Sequence, residues 1–420
     1  MFDAGQGFRD TRPFEMTADP VRDFYTSHPY PPPVENLDRA RDEWQDGNRH
    51  RAEYHLLWPG RPYRADLDIL VAGCGTWQAA KYAVCRPDAH ILGIDVSTTS
   101  LEHTARLKRQ YDLTNLETAQ LAIEGAAALG RSFDLIVCTG VLHHLADPDA
   151  GLRALRSVLK PDGVMSLMVY APYGRTGVYM LQDYCRRLGV GTSEEEIADL
   201  LSVLRAIPQQ HPLVALLRGS RDGTNADALA DALLNPRDRS YSVPQLFDFI
   251  EGGDLTFRRW HSQATYLPQC GAIAATPHGR RLLDLPEPEQ YAAMELWRGT
   301  IASHSVIVTG RDTSREPPAD SFDDRDDWMH YVPVRLPGTL CIQERLPAGA
   351  AAVLVSRYHR SPDLILAIDA MEKTMFEAID GRRNIAAIAG GDQRLSRARS
   401  LFQRLFWYDQ VVFDSSNVPS

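Results

Sequence analysis

Asp68-Ile-Leu-Val-Ala-Gly-Cys-Gly-Thr-Trp-Gln78 decides the fold of this chain. Ile69, Leu70 and Val71 form a short apolar run of the kind that builds a strand buried on both faces. Gly73 and Gly75 permit a tight turn and a close backbone approach to a ligand. A helix opening near Thr76 aims free N–H groups and the positive end of its dipole at that turn. Asp95 lies twenty residues past Gly75, at the end of a second apolar strand, Ile91–Ile94. In α/β nucleotide sites an acid at this place holds ribose hydroxyls. Capping of the following helix is its plainer role.

Outward from that stretch, strands and helices alternate, the mark of a doubly wound sheet. Ser97 is a suitable cap for a helix to about Gln110, and a third strand lies within Leu116–Leu121. Phe133–Cys138 is a fourth buried strand, followed by Thr139-Gly-Val-Leu-His-His144. Asp147 before Pro148 starts a helix with Leu152, Leu155 and Leu159 on its apolar face. Lys160-Pro-Asp-Gly163 then turns into a fifth strand, Val164–Tyr170. A dinucleotide site requires a third glycine, and Gln78 stands in its place, so a nicotinamide oxidoreductase is the weaker reading.

The two blocks together, roughly residues 66–170, resemble the class I S-adenosylmethionine (SAM)-dependent methyltransferases. Gly73 and Gly75 match the first two glycines of that family's G-x-G-x-G motif. Val71 replaces its preceding acid, and Trp77 replaces its third glycine. The His-His-Leu exit, helix and L-K-P-x-G stretch match the second half of the family core. The resemblance implies a Rossmann-like seven-stranded sheet with SAM as cofactor. It implies contacts to SAM from Ala72, Gly73, Cys74, Gly75, Gln78, Asp95 and Val96. It adds Ile123 and Glu124 after the third strand, and Thr139, Gly140 and Leu142 after the fourth. A helical acceptor cover over about 174–253, with a Ser193/Glu196 capping box before Ile197 within it, follows the fifth strand. Leu255–Trp260 and His304–Thr309 supply the closing antiparallel pair.

The flanks read as separate parts. Residues 1–65 form an N-terminal strap and helical cap, mobile over 1–20, with helix over 36–58 that the resemblance lays over the cofactor. Phe24-Tyr-Thr-Ser-His-Pro-Tyr-Pro-Pro-Pro33 is either a brace or a lid that turns Tyr25, His28 and Tyr30 toward the site. Residues 66–311 form the catalytic domain, and 312–329 an acidic linker. Residues 330–420, with helices over Ala370–Ile379, Ile385–Ala389 and Arg394–Trp407 between strand-like pieces, resemble a small α+β winged-helix domain. Phe376-Glu-Ala-Ile-Asp-Gly-Arg-Arg-Asn-Ile-Ala-Ala-Ile-Ala389 is similar to the peptide-binding winged helices of modified-peptide pathways.

The 420 residues carry a net charge of −10, which disfavours nucleic acid and anionic membranes as partners. Six cysteines without a C-x-x-C pair fit reduced, buried thiols and a cytoplasmic protein, monomeric or homodimeric.

Methyl transfer is an in-line displacement, so the protein has to position the partners and exclude water. No metal is required, and His143, His144 and Asp147 lack the spacing of a metal site. His143 and His144 are candidates for taking the acceptor's proton; lining the site is their plainer role. Tyr25, Tyr30, Tyr170, Tyr173 and Arg175 are candidates for touching the acceptor. Cys74 reads as small filler rather than a nucleophile. The expected acceptor is a small molecule with an O, N or S nucleophile. Two alternatives stand beside it: a peptide or protein acceptor held by the C-terminal domain, and a non-catalytic SAM sensor.

Overall fold

The computed structural model describes residues 19–219, 225–311, 322 and 326–418. The expectation of a mobile N-terminus therefore falls, up to residue 18, outside the described residues. So does most of the linker expected over 312–329.

Seven strands build the main sheet: β1 (Asp68–Ala72), β2 (His90–Asp95), β3 (Leu116–Gln120), β4 (Phe133–Thr139), β5 (Leu159–Tyr170), β6 (Leu255–Trp260) and β7 (Ser303–Gly310). Their order is β3-β2-β1-β4-β5-β7-β6. The first five run parallel, while β7 is antiparallel to both β5 and β6. This is the expected Rossmann-like methyltransferase sheet. The chain winds from β1 out to β3 and then crosses back to β4. A crevice therefore opens between β1 and β4 at their carboxyl ends. Alternation along β1 feeds both layers: Leu70 and Ala72 pack into one core, Ile69 and Val71 into the other.

Several elements depart from the sequence reading. The single helix expected over 36–58 is two, Asp38–Glu43 and Gly47–Leu57. Asp46 caps the second by accepting from the Asn48 N–H, which fixes the break. The second helix does not lie over the crevice. Ala52 packs on Val334 and Val412 of the C-terminal region, and Arg51 reaches Asp414 at 3.1 Å. Lys160-Pro-Asp-Gly163 is an excursion inside β5 rather than a turn before it, since Leu159 already pairs with Phe133. Two helices, Pro277–Leu283 and Glu287–Arg298, occupy the stretch between β6 and β7 that the apolar periodicity left unassigned.

Among the described residues five helices come between β5 and β6: Thr176–Leu188, Glu194–Arg205, Pro212–Gly219, Ala226–Leu234 and Val243–Gly252. The first four share a core of Val178, Cys185, Leu200, Leu204, Leu213, Leu229 and Leu233. The Ser193/Glu196 box is present, with Ser193 Oγ accepting from the Glu196 N–H at 3.3 Å.

The C-terminal region holds β8 (Val332–Arg335), β9 (Thr339–Ile342), β10 (Ala352–Ser356), β11 (Ile365–Ile368) and β12 (Val411–Asp414). Helices Ala370–Glu377, Ile385–Ala389 and Leu395–Trp407 stand between β11 and β12. β9, β10 and β11 form one small sheet, and β12 pairs with β8 in another. Phe322 and Trp328 join this core, so part of the expected linker is packed rather than extended. Among the described residues the third helix is followed by one strand, not by a hairpin.

Candidate active site

The glycine turn forms where the sequence places it. Gly73 and Gly75 have φ of +67° and +55°, the left-handed region that glycine adopts without penalty. The N–H groups of Gly73 and Cys74 both donate to the Ile94 carbonyl, at 2.8 and 2.9 Å, which ties the turn to the end of β2. The helix begins at Gln78, two residues later than expected. Trp77, where the family has a third glycine, joins the wall of the crevice with its indole N–H unpartnered.

Asp95 is held by the turn it faces. Its Oδ2 accepts from the Gly75 N–H at 2.8 Å, and its Oδ1 from the Ser97 N–H at 2.9 Å. Burial raises its pKa, and the backbone donors Ser97, Gly75 and Val96 oppose that rise. Capping of the next helix falls instead to Ser97, whose Oγ accepts from the Ser100 N–H.

A cavity of about 700 Å³ opens over the carboxyl ends of the strands. Gly73, Gly75, Gln78, Asp95, Val96, Ile123, Glu124, Thr139 and Gly140 line it, as do Tyr25, Tyr30, His144, Tyr170 and Arg175. Ala72, Cys74 and Leu142 do not, because their side chains are turned into the core and wholly buried. His143 stands behind the wall and Tyr173 is exposed outside it. Burial also pushes the Cys74 thiol pKa well up, as expected for filler.

The strap closes over the glycine turn. A methyl group on Gly75 would meet the Tyr30 carbonyl oxygen and Pro31 Cδ, each at 2.8 Å. Thr76 Oγ1 donates to the Pro31 carbonyl at 2.7 Å, and Ser97 Oγ to the Tyr25 carbonyl at 3.0 Å. Tyr25 and Tyr30 thereby become wall. His28 does not: it reaches Asp227 and the Thr192 carbonyl and braces the strap to the cover.

The two histidines differ. A 3-10 turn over Leu142–His144 carries both. His144 Nδ1 lies against the Arg237 carbonyl, which can only accept, so Nδ1 bears the proton of the neutral ring. Nε2 is then a lone-pair acceptor, buried and without a partner among the described residues. His143 lies tilted against Tyr170 with ring centroids 3.9 Å apart, and neither of its nitrogens has a partner among the described residues. Burial first, and then the neighbouring His144 ring and Arg175 guanidinium, drive its pKa well down, so it is a neutral packing group.

Facing them, the cover helix Ala226–Leu234 brings Asp231 to the cavity, a residue the sequence reading missed. Tyr25 Oη donates to Asp231 Oδ1 at 2.7 Å, Tyr170 Oη lies 3.5 Å from Oδ2, and Asn235 Nδ2 reaches Oδ1 at 3.3 Å. Burial, then the Asp231 charge, raises both tyrosine pKa values well above the ordinary range. The one sequence signal for Asp231 is an acid amid the alanines and leucines of that helix. Arg175 is spent within the wall: it lies 3.5 Å over the Tyr170 ring and pairs with buried Asp238 at 3.2 Å. Among the described residues no cluster of ligating side chains could hold a metal, and no helix is long and apolar enough to cross a membrane.

The methyltransferase-domain family matches residues 70–165. With this sheet order and glycine turn, the chain belongs to the class I SAM-dependent methyltransferases, enzymes whose cofactor is SAM. The chain is 30% identical over 325 residues to the uncharacterized protein syc1184_c of Synechococcus sp., covering 75% of this chain and 76% of the relative. It is 32% identical over 141 residues to a ubiquinone biosynthesis O-methyltransferase of Neisseria meningitidis, a match over 31% of this chain and 59% of that protein. The fold of PKMT2 from Rickettsia typhi, solved in complex with AdoHcy, superposes with a TM-score of 0.63 at 16% identity. That likeness covers 92% of this chain and 77% of the other.

Proposed function

We propose that the enzyme methylates a small molecule held between the glycine turn and the helical cover. The observation that carries this reading is one cavity lined both by Gly73, Asp95 and Glu124 of the sheet loops and by Leu213, Leu229 and Asp231 of the cover. Its volume, about 700 Å³, is of the size that encloses a cofactor and a small acceptor together. On this reading residues 66–311 are the catalytic domain, 174–253 its acceptor cover, and 330–420 an appended unit.

The walls suit the cofactor. Asp95 has its carboxylate fixed by two backbone donors at the end of β2, ready to accept from ribose hydroxyls. The positive-φ glycines keep side chains off the turn. When bound, SAM supplies a methyl on a sulfonium that leaves as a neutral thioether. The residues of this chain orient the acceptor and receive its proton. Asp231, a buried carboxylate with no cationic partner among the described residues, accepts from an acceptor N–H or O–H and so aims the lone pair. The acceptor's lone pair forms the new carbon bond, and its proton is taken up by the His144 ring, whose unpartnered Nε2 lies buried within the cavity wall. Tyr25 and Tyr30 of the strap keep water out.

Calorimetry with SAM and its demethylated product tests the cofactor half. Binding is expected between about 1 μM and 1 mM. The acceptor half is tested by labelled methyl transfer into fractionated extract. Label appearing only in polypeptide would overturn the small-molecule reading. Asp231→Asn and His144→Gln should each lose about 100-fold or more in transfer while SAM affinity holds.

A further inference from the structure

One arginine in the cavity wall comes from the far end of the chain. Arg360 lies in the connection between β10 and β11, 50 residues past the end of β7, yet it lines the same cavity as Gly73 and Tyr170. It is exposed, and it pairs with no carboxylate among the described residues.

Its loop is anchored on both sides. His359 Nε2 contacts Asp409 Oδ2 at 3.0 Å, and Asp409 also accepts from the Ala264 N–H at 3.0 Å. Asp363 pairs with Arg298 at 3.2 Å and accepts from the Ala272 N–H at 2.9 Å. Residues 264, 272 and 298 all belong to the segment between β6 and β7. That edge of the sheet is distant from the cofactor turn. From β1 the order runs through β4 and β5 to β7, three strand spacings, or about 14 Å. Arg360 therefore belongs to the acceptor end. The other cations of the wall are otherwise engaged: Arg175 with Asp238 and Tyr170, and Lys81 over the Trp77 ring beside the glycine turn.

A guanidinium left with its fork unengaged in a cavity matches a carboxylate or a phosphate. We propose that Arg360 seats an anionic group, a carboxylate or a phosphate monoester, of the methyl acceptor. The C-terminal region is then a reader of the acceptor, not an independent appendage. This deepens the small-molecule reading above and rests on it. The acceptor carries an N–H or O–H for Asp231 and, on the β7 side, an anion for Arg360.

The test uses the full chain loaded with S-adenosylhomocysteine and three probes of similar size: phenylacetate, phenyl phosphate and 2-phenylethanol. By calorimetry, one or both anions should bind about tenfold or more tightly than the alcohol. The preferred anion distinguishes carboxylate from phosphate. Arg360→Ala should abolish that preference, and Arg360→Lys should restore part of it, with S-adenosylhomocysteine affinity unchanged in both. Anions that bind no better than the alcohol, or that bind Arg360→Ala equally well, would make Arg360 a solvated surface arginine and overturn the proposal. Failure of the wild-type chain to bind S-adenosylhomocysteine overturns instead the reading of the cavity, and is recorded before any probe is added.

Discussion

Replacing Gly75 with alanine tests whether the strap is a fixed wall of the cofactor site. Two costs add. The residue sits at φ +55°, where an L side chain costs roughly 1–2 kcal/mol. Its new methyl group would stand 2.8 Å from both the Tyr30 carbonyl and Pro31 Cδ, so the strap has to move. Overpacking of this kind costs about 1–3 kcal/mol. Part of that strain is relieved by lifting residues 30–31, which strains the Thr76–Pro31 hydrogen bond and opens the wall beside the turn. If about 2 kcal/mol falls on the closed form that binds SAM, affinity drops about 30-fold. Calorimetry reads the affinity, and urea unfolding of the ligand-free variant separates loss of fold from loss of binding. An alanine variant with wild-type affinity and unchanged stability would mean that the strap does not rest on the turn, and the closed cavity would be wrong.

Asp95→Ala should weaken SAM binding by about 10–100-fold, because the ribose loses its acceptor while Gly75 loses the carboxylate that orders its N–H; calorimetry checks this. Burial lowers the pKa of His261 from 6.5 to about 4, so between these values its neutral form is favoured only in the folded chain. Its contribution is complete above pH 6.5 and is lost as pH falls from there toward 4, amounting to about 2 kcal/mol by pH 5. Urea midpoints at pH 7 and pH 5 should differ accordingly, and His261→Gln should shrink the difference. Asp409→Ala removes the acceptor for the Gln263 and Ala264 N–H groups and the partner of His359, and should cost about 2–4 kcal/mol in urea unfolding. A loss under about 1 kcal/mol would mean that the C-terminal region is only loosely joined.

What the sequence determined by itself is the local framework of the sheet. Ile69–Val71, the two glycines and Asp95 carry their own physical signal, because a buried strand and a left-handed turn are imposed by neighbours in sequence. Ser97, Asp147 and Ser193 act as caps for the same reason: each satisfies an N–H three residues along. Tertiary structure decided which side chains share the cavity. His143 and His144 are adjacent, yet one is sealed behind Tyr170 and the other retains a free lone pair, set by the Arg237 carbonyl 93 residues away. Asp231 and Arg360 came from helices and loops with no motif of their own. They share the cavity only because the cover folds back over β5 and the C-terminal region is pinned beside β7, contacts between residues far apart that no local pattern encodes.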